Sequence, residues 1–326
     1  MAAATDAPAF DPTPAPVPPA PAPVPTPEPE PTPDPTPAPA PTPPGPEPAT
    51  PTNAVEAATA AHAPATPPDP LAHLPGWAQA FARKYFTKTL CTFVLYGNVH
   101  DLVPLRDPKT GALERYVSLR GFLADELFAA RDLVVLYDRA AGIHFLDQAS
   151  QRDFNRAVSG YDTLMGTDFA QKLPKDPARV FQLLDNYFRL RLGEGKRVAC
   201  ILDYGETLIP MAEGGTTSAE DRATLVALRK WAHDPTFLAA DFTTVLLTEN
   251  LRDLHQSFVQ SPYTAEIRLS MPTADERRAF LDFELKGREA EFEKLSDVPV
   301  PVLAHNTAGL GYVQLRTILA DVFENR

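Results

Sequence analysis

No lysine or arginine occurs before Arg83. The acids Asp6, Asp11, Glu28, Glu30, Asp34, Glu47, Glu56 and Asp69 therefore stand unopposed over residues 1–70, and they are 8 of the 42 in the chain. The formal charge of −12 is mostly a property of this arm, and the rest is near neutral. That balance argues against a large electrostatic footprint for nucleic acid, so no nucleic-acid partner is expected. Cysteine is scarce. Cys91 and Cys200 are the only two, both inside apolar runs, which points to buried free thiols and not to a disulfide framework. No apolar run approaches the ~18 residues of a membrane span, so no membrane partner is expected. The start, MAAATDAPAF, lacks the basic and apolar regions of a secretory leader, which fits a cytoplasmic protein. The 7 histidines do not cluster at metal-ligand spacing, and His100 beside Asp101 is the nearest thing to a ligand pair.

What is abundant is proline, with 37 residues, most of them in residues 1–70 among Ala and Thr. Such an arm buries too little apolar surface to offset its ordering entropy. It is expected to be disordered, sampling extended polyproline II as a semi-stiff spacer. The ~255 residues that follow suffice for a substantial core.

Beyond the arm, short apolar runs alternate with helical patterns. GWAQAFARKYF (76–86) reads as a helix. TFVLYGNV (92–99) reads as a strand ending in a turn at Gly97 and Asn98. DPKTGALERY (107–116) reads as an irregular insertion and LRGFLADELFAA (119–130) as a helix. DLVVLYDRA (132–140) is a strand, followed by about 35 less regular residues. A helix over 176–192, capped by Gly193, precedes the strand RVACILDY (197–204). The Gly- and Thr-rich loop EGGTTSAED (213–221) leads to a helix near 219–233, with capping-box spacing from Ser218 to Asp221. FTTVLLTEN (242–250) and AEIRLS (265–270) are the last two strands. Thr273 with Glu276 opens an all-helical final segment. Continuous apolar strands separated by helices imply a parallel sheet covered on both faces. The expected division is an arm over 1–70, an α/β domain over 71–271 and a helical domain over 272–326.

In such sheets ligands bind at the carboxyl ends of the strands. Asp203 ends one strand and Asn250 another, and they share a crevice if those strands are neighbours. A carboxylate there can hold Mg²⁺, and an amide can orient water or a phosphate oxygen.

VACILDYGE resembles the Walker B strand of the AAA+ ATPases, and VLLTENL resembles their sensor 1 strand. SPYTAEIRLSMPTADERRAFL resembles the crossing into their helical lid. LAHNTAGLGYVQLRTIL resembles the later lid helices, with a Thr-x-Gly turn at Thr307 and Gly309. The resemblance covers about 190–323. It implies a three-layer α/β/α domain on a five-stranded parallel sheet, followed by a small helical lid. It further implies Asp203 as a metal and nucleotide contact, with Thr248, Asn250, Gly97 and Asn98 as further nucleotide contacts and Glu206 as the catalytic acid. ATP and Mg²⁺ are the implied cofactors. The implied partners are further copies or a related AAA+ module in a ring, with a protein as substrate.

The departures are as informative. No GxxxxGKS/T loop occurs, and Lys109-Thr110 lacks the upstream glycines. That loop is what cradles phosphates on backbone amides. Tyr204 stands where the catalytic Glu usually follows the Asp, and Glu206 is displaced. HQSFVQSPYTAE contains no arginine finger; Arg252 precedes it and Arg268 follows it. Gly311 and Tyr312 stand where the lid often carries an arginine, with Arg316 a turn later. Losing the cradle and the arginine removes phosphate affinity and transition-state charge stabilisation. The expectation is a module weakened or inactive in ATP binding and hydrolysis that serves in assembly or regulation of a protein-remodelling machine. The alternatives are an active ATPase with an atypical loop and a non-enzymatic scaffold. A haloacid dehalogenase-like phosphatase, using Asp203 and Thr248, is disfavoured because Gly205 stands where its second Asp is needed. GYDTLMG (160–166) is a weak candidate for a loop that grips a substrate chain.

Overall fold

The computed structural model describes residues 69–211 and 217–324. The proline-rich arm expected over 1–70 lies outside these residues, Asp69 and Pro70 apart, as do positions 212–216 of the Gly- and Thr-rich loop.

All five strands read from the sequence form, as β1 (Thr92–Gly97), β4 (Leu133–Asp138), β6 (Val198–Leu202), β7 (Phe242–Thr248) and β8 (Thr264–Leu269). They run parallel in the spatial order β4-β6-β7-β1-β8. A sixth strand, β5 (Gly142–His144), pairs antiparallel with β4 at the edge. The continuous apolar runs are explained by burial on both faces: every residue of β6 and β7 is buried. On one face, Phe154, Phe181, Phe188, Trp231 and Phe237 pack under α3 (Gln148–Met165), α4 (Pro177–Gly193), α6 (Ala219–His233) and α7 (Pro235–Ala239). On the other, Phe81 of α1 (Gly76–Phe86) and Phe122 of α2 (Leu119–Phe122) meet Phe93, Ile201 and Val245. The helices start where their caps say. Ser218 accepts from the Asp221 N–H, and Asp176 precedes Pro177 at the first turn of α4. Cys91 and Cys200 are buried free thiols, and burial pushes Cys91 up to about 11.

Five expectations need correction. The insertion over 107–116 is the turn of a β-hairpin, β2 (Leu102–Arg106) with β3 (Leu113–Ser118). Asp107 closes it by accepting from the Lys109 and Thr110 N–H groups. Pro104 is tolerated because the ribbon has only two strands. The helix over 119–130 is cut short: α2 passes into a π-turn over Leu123–Leu127, with the Phe128 N–H bonding to the Leu123 carbonyl. The less regular segment after β4 holds β5 and the 18-residue helix α3. GYDTLMG is the end of that helix, not a loop, and Gly166 stops it in the left-handed conformation. Lastly, α4 ends with Glu194 as cap, not Gly193.

The C-terminal helices are α9 (Ala274–Glu284), α10 (Glu289–Leu295), α11 (Val300–Asn306) and α12 (Tyr312–Glu324), completing the set with α5 (Gly205–Leu208) and α8 (Gln256–Val259). The capping box at Thr273 and Glu276 forms as expected. The buried Arg277 binds this helical region to its own hinge, donating to the carbonyls of Ala304 and Pro272. The hairpin docks onto the same helices. Tyr116 of β3 meets the rings of Phe280, Phe283 and Tyr312.

Candidate nucleotide site

β6 and β7 are neighbours, so Asp203 and Asn250 do leave the sheet at adjacent strand ends. β1 lies on the other side of β7 and brings Gly97 and Asn98 to the same edge. The Gly97 N–H bonds to the Glu249 carbonyl beyond β7, and the Asn98 N–H to the Leu269 carbonyl at the end of β8. The Val99 N–H turns back to the Gly97 carbonyl. Gly97 is required here: its φ is +101°, and a Cβ would run into the Leu269 carbonyl oxygen. β1 then continues into the hairpin, so no helix N-terminus follows the turn directly. Three successive amides that could face an anion are thus spent on carbonyls.

Asp203 is buried, with its side chain 5% exposed. Its N–H bonds to the Tyr137 carbonyl, which extends the β4–β6 ladder by one residue. One carboxylate oxygen accepts from the Tyr204 N–H and the other lies 2.9 Å from a guanidinium nitrogen of Arg120, at the start of α2. A protein cation therefore lies against the oxygen of Asp203 that the Tyr204 N–H does not reach. Tyr204 adopts a left-handed backbone, φ 51°, and stacks on His100 at 5.2 Å. The contact joins the loop after β1 to the loop after β6. Gly205 follows because a Cβ there would lie 2.7 Å from the Leu246 side chain.

Glu206 and Thr248 are brought together: the buried Thr248 hydroxyl donates to the Glu206 carboxylate at 2.9 Å. Asn250 is turned to local work, accepting from the Arg252 N–H and donating to Asp253. His100 and Asp101 do not face a common point. His100 approaches the exposed Glu249 at 3.7 Å, whereas Asp101 accepts from the N–H groups of Tyr312 and Val313 at the start of α12. Asn98 donates its side-chain amide to Asp101 at 2.8 Å. Arg316 pairs with Glu284 at 2.6 Å within the helical region and points to no strand end. A cleft of about 280 Å³ opens beside Asn98, lined by Trp77, Pro104, Arg268, Met271 and Tyr312.

Two residues here were not foreseen. Arg120 sits in an ordinary helical pattern, and the sequence pairs Asp101 only with its neighbour His100. No local signal marks either role, because Asp101 and Tyr312 are 211 positions apart.

A triphosphate with Mg²⁺ needs free amides, a lysine and an available carboxylate. The residues present do not fit that demand: the amides are bonded, no lysine stands at the turn, and Asp203 is paired.

Two family models match the sequence. One describes an AAA+ chaperone, N-terminal Rossmann-like domain, over residues 61–270. The other describes an AAA+ chaperone, second helical domain, over residues 275–326. The chain belongs to the AAA+ chaperone family. No curated protein matches it. Among solved structures it is similar to a chain of the E. coli MS115-1 HORMA:CdnC:Trip13 complex, with 17% identity over 72% of this chain and 68% of that one, and a TM-score of 0.42. A likeness that distant adds nothing to the family match. Membership in this family points to nucleotide binding and protein partners in general. No helix among the described residues is long and apolar enough to cross a membrane.

Proposed function

We propose that this chain is an AAA+ module that has kept the fold and given up hydrolysis, and that it serves in the oligomeric assembly or regulation of an ATP-driven protein-remodelling machine. Its partners are further copies or a related AAA+ module in a cytoplasmic ring, with a protein as the machine's substrate. The α/β domain spans 71–271 and the lid 272–326. Binding of ATP and Mg²⁺ is weak or lost. The observation that carries the reading is the use of the amides of Gly97, Asn98 and Val99 for the sheet's own carbonyls. The pairing of Asp203 with Arg120 supports it.

One observation favours a second reading. Thr248 holds the Glu206 carboxylate at the strand ends, where a water-activating acid would stand beside a nucleotide contacted by Asp203, Asn250, Gly97 and Asn98. An active hydrolase with an atypical loop would use that pair.

Calorimetric titration of the full chain with Mg-ATP, beside D203N, separates the two. The first reading expects no binding tighter than about 100 μM, or −5.5 kcal/mol, and turnover at background. Tight binding weakened by D203N, or turnover lost in E206Q, would install the second. Sedimentation of the chain alone and with a hydrolysing AAA+ module tests assembly; persistence as a free monomer in both would remove the ring role.

A further inference from the structure

Helix α12 begins with a glycine where a capping side chain is usual. Gly311 occupies the N-cap, so it offers no oxygen to the first free N–H groups of the helix. Half of a capping box is present, since Gln314 accepts from the Gly311 N–H at 2.9 Å. The other half comes from elsewhere in the chain. The Asp101 carboxylate accepts from Tyr312 N–H at 2.8 Å and from Val313 N–H at 2.9 Å, one oxygen each. Asn98 donates to the first of those oxygens and so orients the group. Asp101 is 6% exposed.

The glycine is explained by the same contact. A Cβ at Gly311 would collide with one carboxylate oxygen and the carboxyl carbon of Asp101 and crowd the other oxygen. The N-cap is bare because the cap arrives from the loop after β1.

We infer that Asp101 is a latch between the two halves of the fold: it caps α12 from the sheet side and sets the position of the helical lid without any ligand. A carboxylate at a helix N-terminus gains from the helix dipole as well as from two charge-assisted hydrogen bonds. It also occupies the two N–H groups that an anion at the start of α12 would use. The hinge between β8 and α9 is short, Ser270 to Thr273. A lid joined so closely is held at the start of α12 by the sheet's own carboxylate. The latch holds whether or not the module hydrolyses ATP.

Amide hydrogen exchange of the full chain, with no nucleotide added, tests the latch. In D101N and D101A the amides of Tyr312 and Val313, and those of residues 270–273, should exchange at least ~10-fold faster, with β1, β6 and β7 unchanged. G311A should reproduce the effect from the lid side by displacing the carboxylate. In the double variant D101A/G311A the second change should add nothing, because the group it displaces is gone. Unchanged lid exchange in D101A, a silent G311A, or additive effects in the double variant would overturn the latch. G311A leaves the loop after β1 intact, so it decides even where D101A also exposes the sheet. Nucleotide affinity and ring assembly enter none of these readouts, so failure of the latch is distinct from failure of the proposed function.

Discussion

Arg120 and Asp203 form the contact on which the candidate site turns. Asp203 is buried, and its far oxygen lies 2.9 Å from the guanidinium with no hydrogen-bond partner. Removing that guanidinium strands a carboxylate away from water. Arg120 is 42% exposed, which tempers the loss through solvent screening. R120A is expected to cost about 1–2 kcal/mol in urea unfolding, within the range for an unsatisfied buried group. Adding D203N should recover most of it; equal costs for R120A with and without D203N would show that the pair is not coupled. The strand-end acid was legible in ILDYGE, since an acid after five buried residues has to meet a partner. Which partner was not legible, because Arg120 enters only through the packing of α2.

Among the elements, two ties can be probed. The first joins the starts of β4 and β6. Asp132 accepts from the Arg197 side chain and N–H, and these bonds hold its carboxyl at about 2, below the ordinary 3.8. The folded value is depressed, so the stabilisation is present above about pH 4 and is lost as pH falls through about 2. The pair is exposed, so the effect is small. D132N should flatten the corresponding part of the acid-stability curve, and an unchanged slope between pH 4 and 2 would contradict it. The second tie is the hairpin. Tyr116 lies edge-on to Phe280 at 4.8 Å and burial pushes its phenol up to about 12. Y116A should cost about 2–3 kcal/mol in urea unfolding and open the 270–273 hinge to protease, the range for truncating a partly buried aromatic. A loss under about 0.5 kcal/mol would mean the hairpin is ornament to the lid. The sequence hid this hairpin because its turn, DPKTG, is polar and β3 has no buried residue. It hid α3 for a related reason: only Ser150, Phe154 and Val158 are buried along 18 residues, a stripe too narrow to stand out.

At the scale of the whole molecule, composition separates the arm from the folded part. Residues 66–326 form one compact unit, and the family match begins at residue 61. Deleting 1–60 should shift the melting temperature by less than about 2 °C, because a proline-rich acidic segment adds little buried apolar area. It should also reduce the negative charge on ion exchange. A drop of about 5 °C or more would place part of the arm in the fold.

Continuous apolar strands, their spacing by helices and the caps at Ser218 and Thr273 specify the parallel α/β core and the helical lid through local rules. The lack of a GKS/T loop was equally plain in the sequence. The tertiary structure alone decided where the freed groups went: the β1 amides to neighbouring carbonyls, Asp203 to Arg120, and Asp101 to α12. Periodicity and capping act over a few residues. These pairings join segments up to 211 positions apart, and only the folding of lid and hairpin onto the sheet brings them within hydrogen-bond reach.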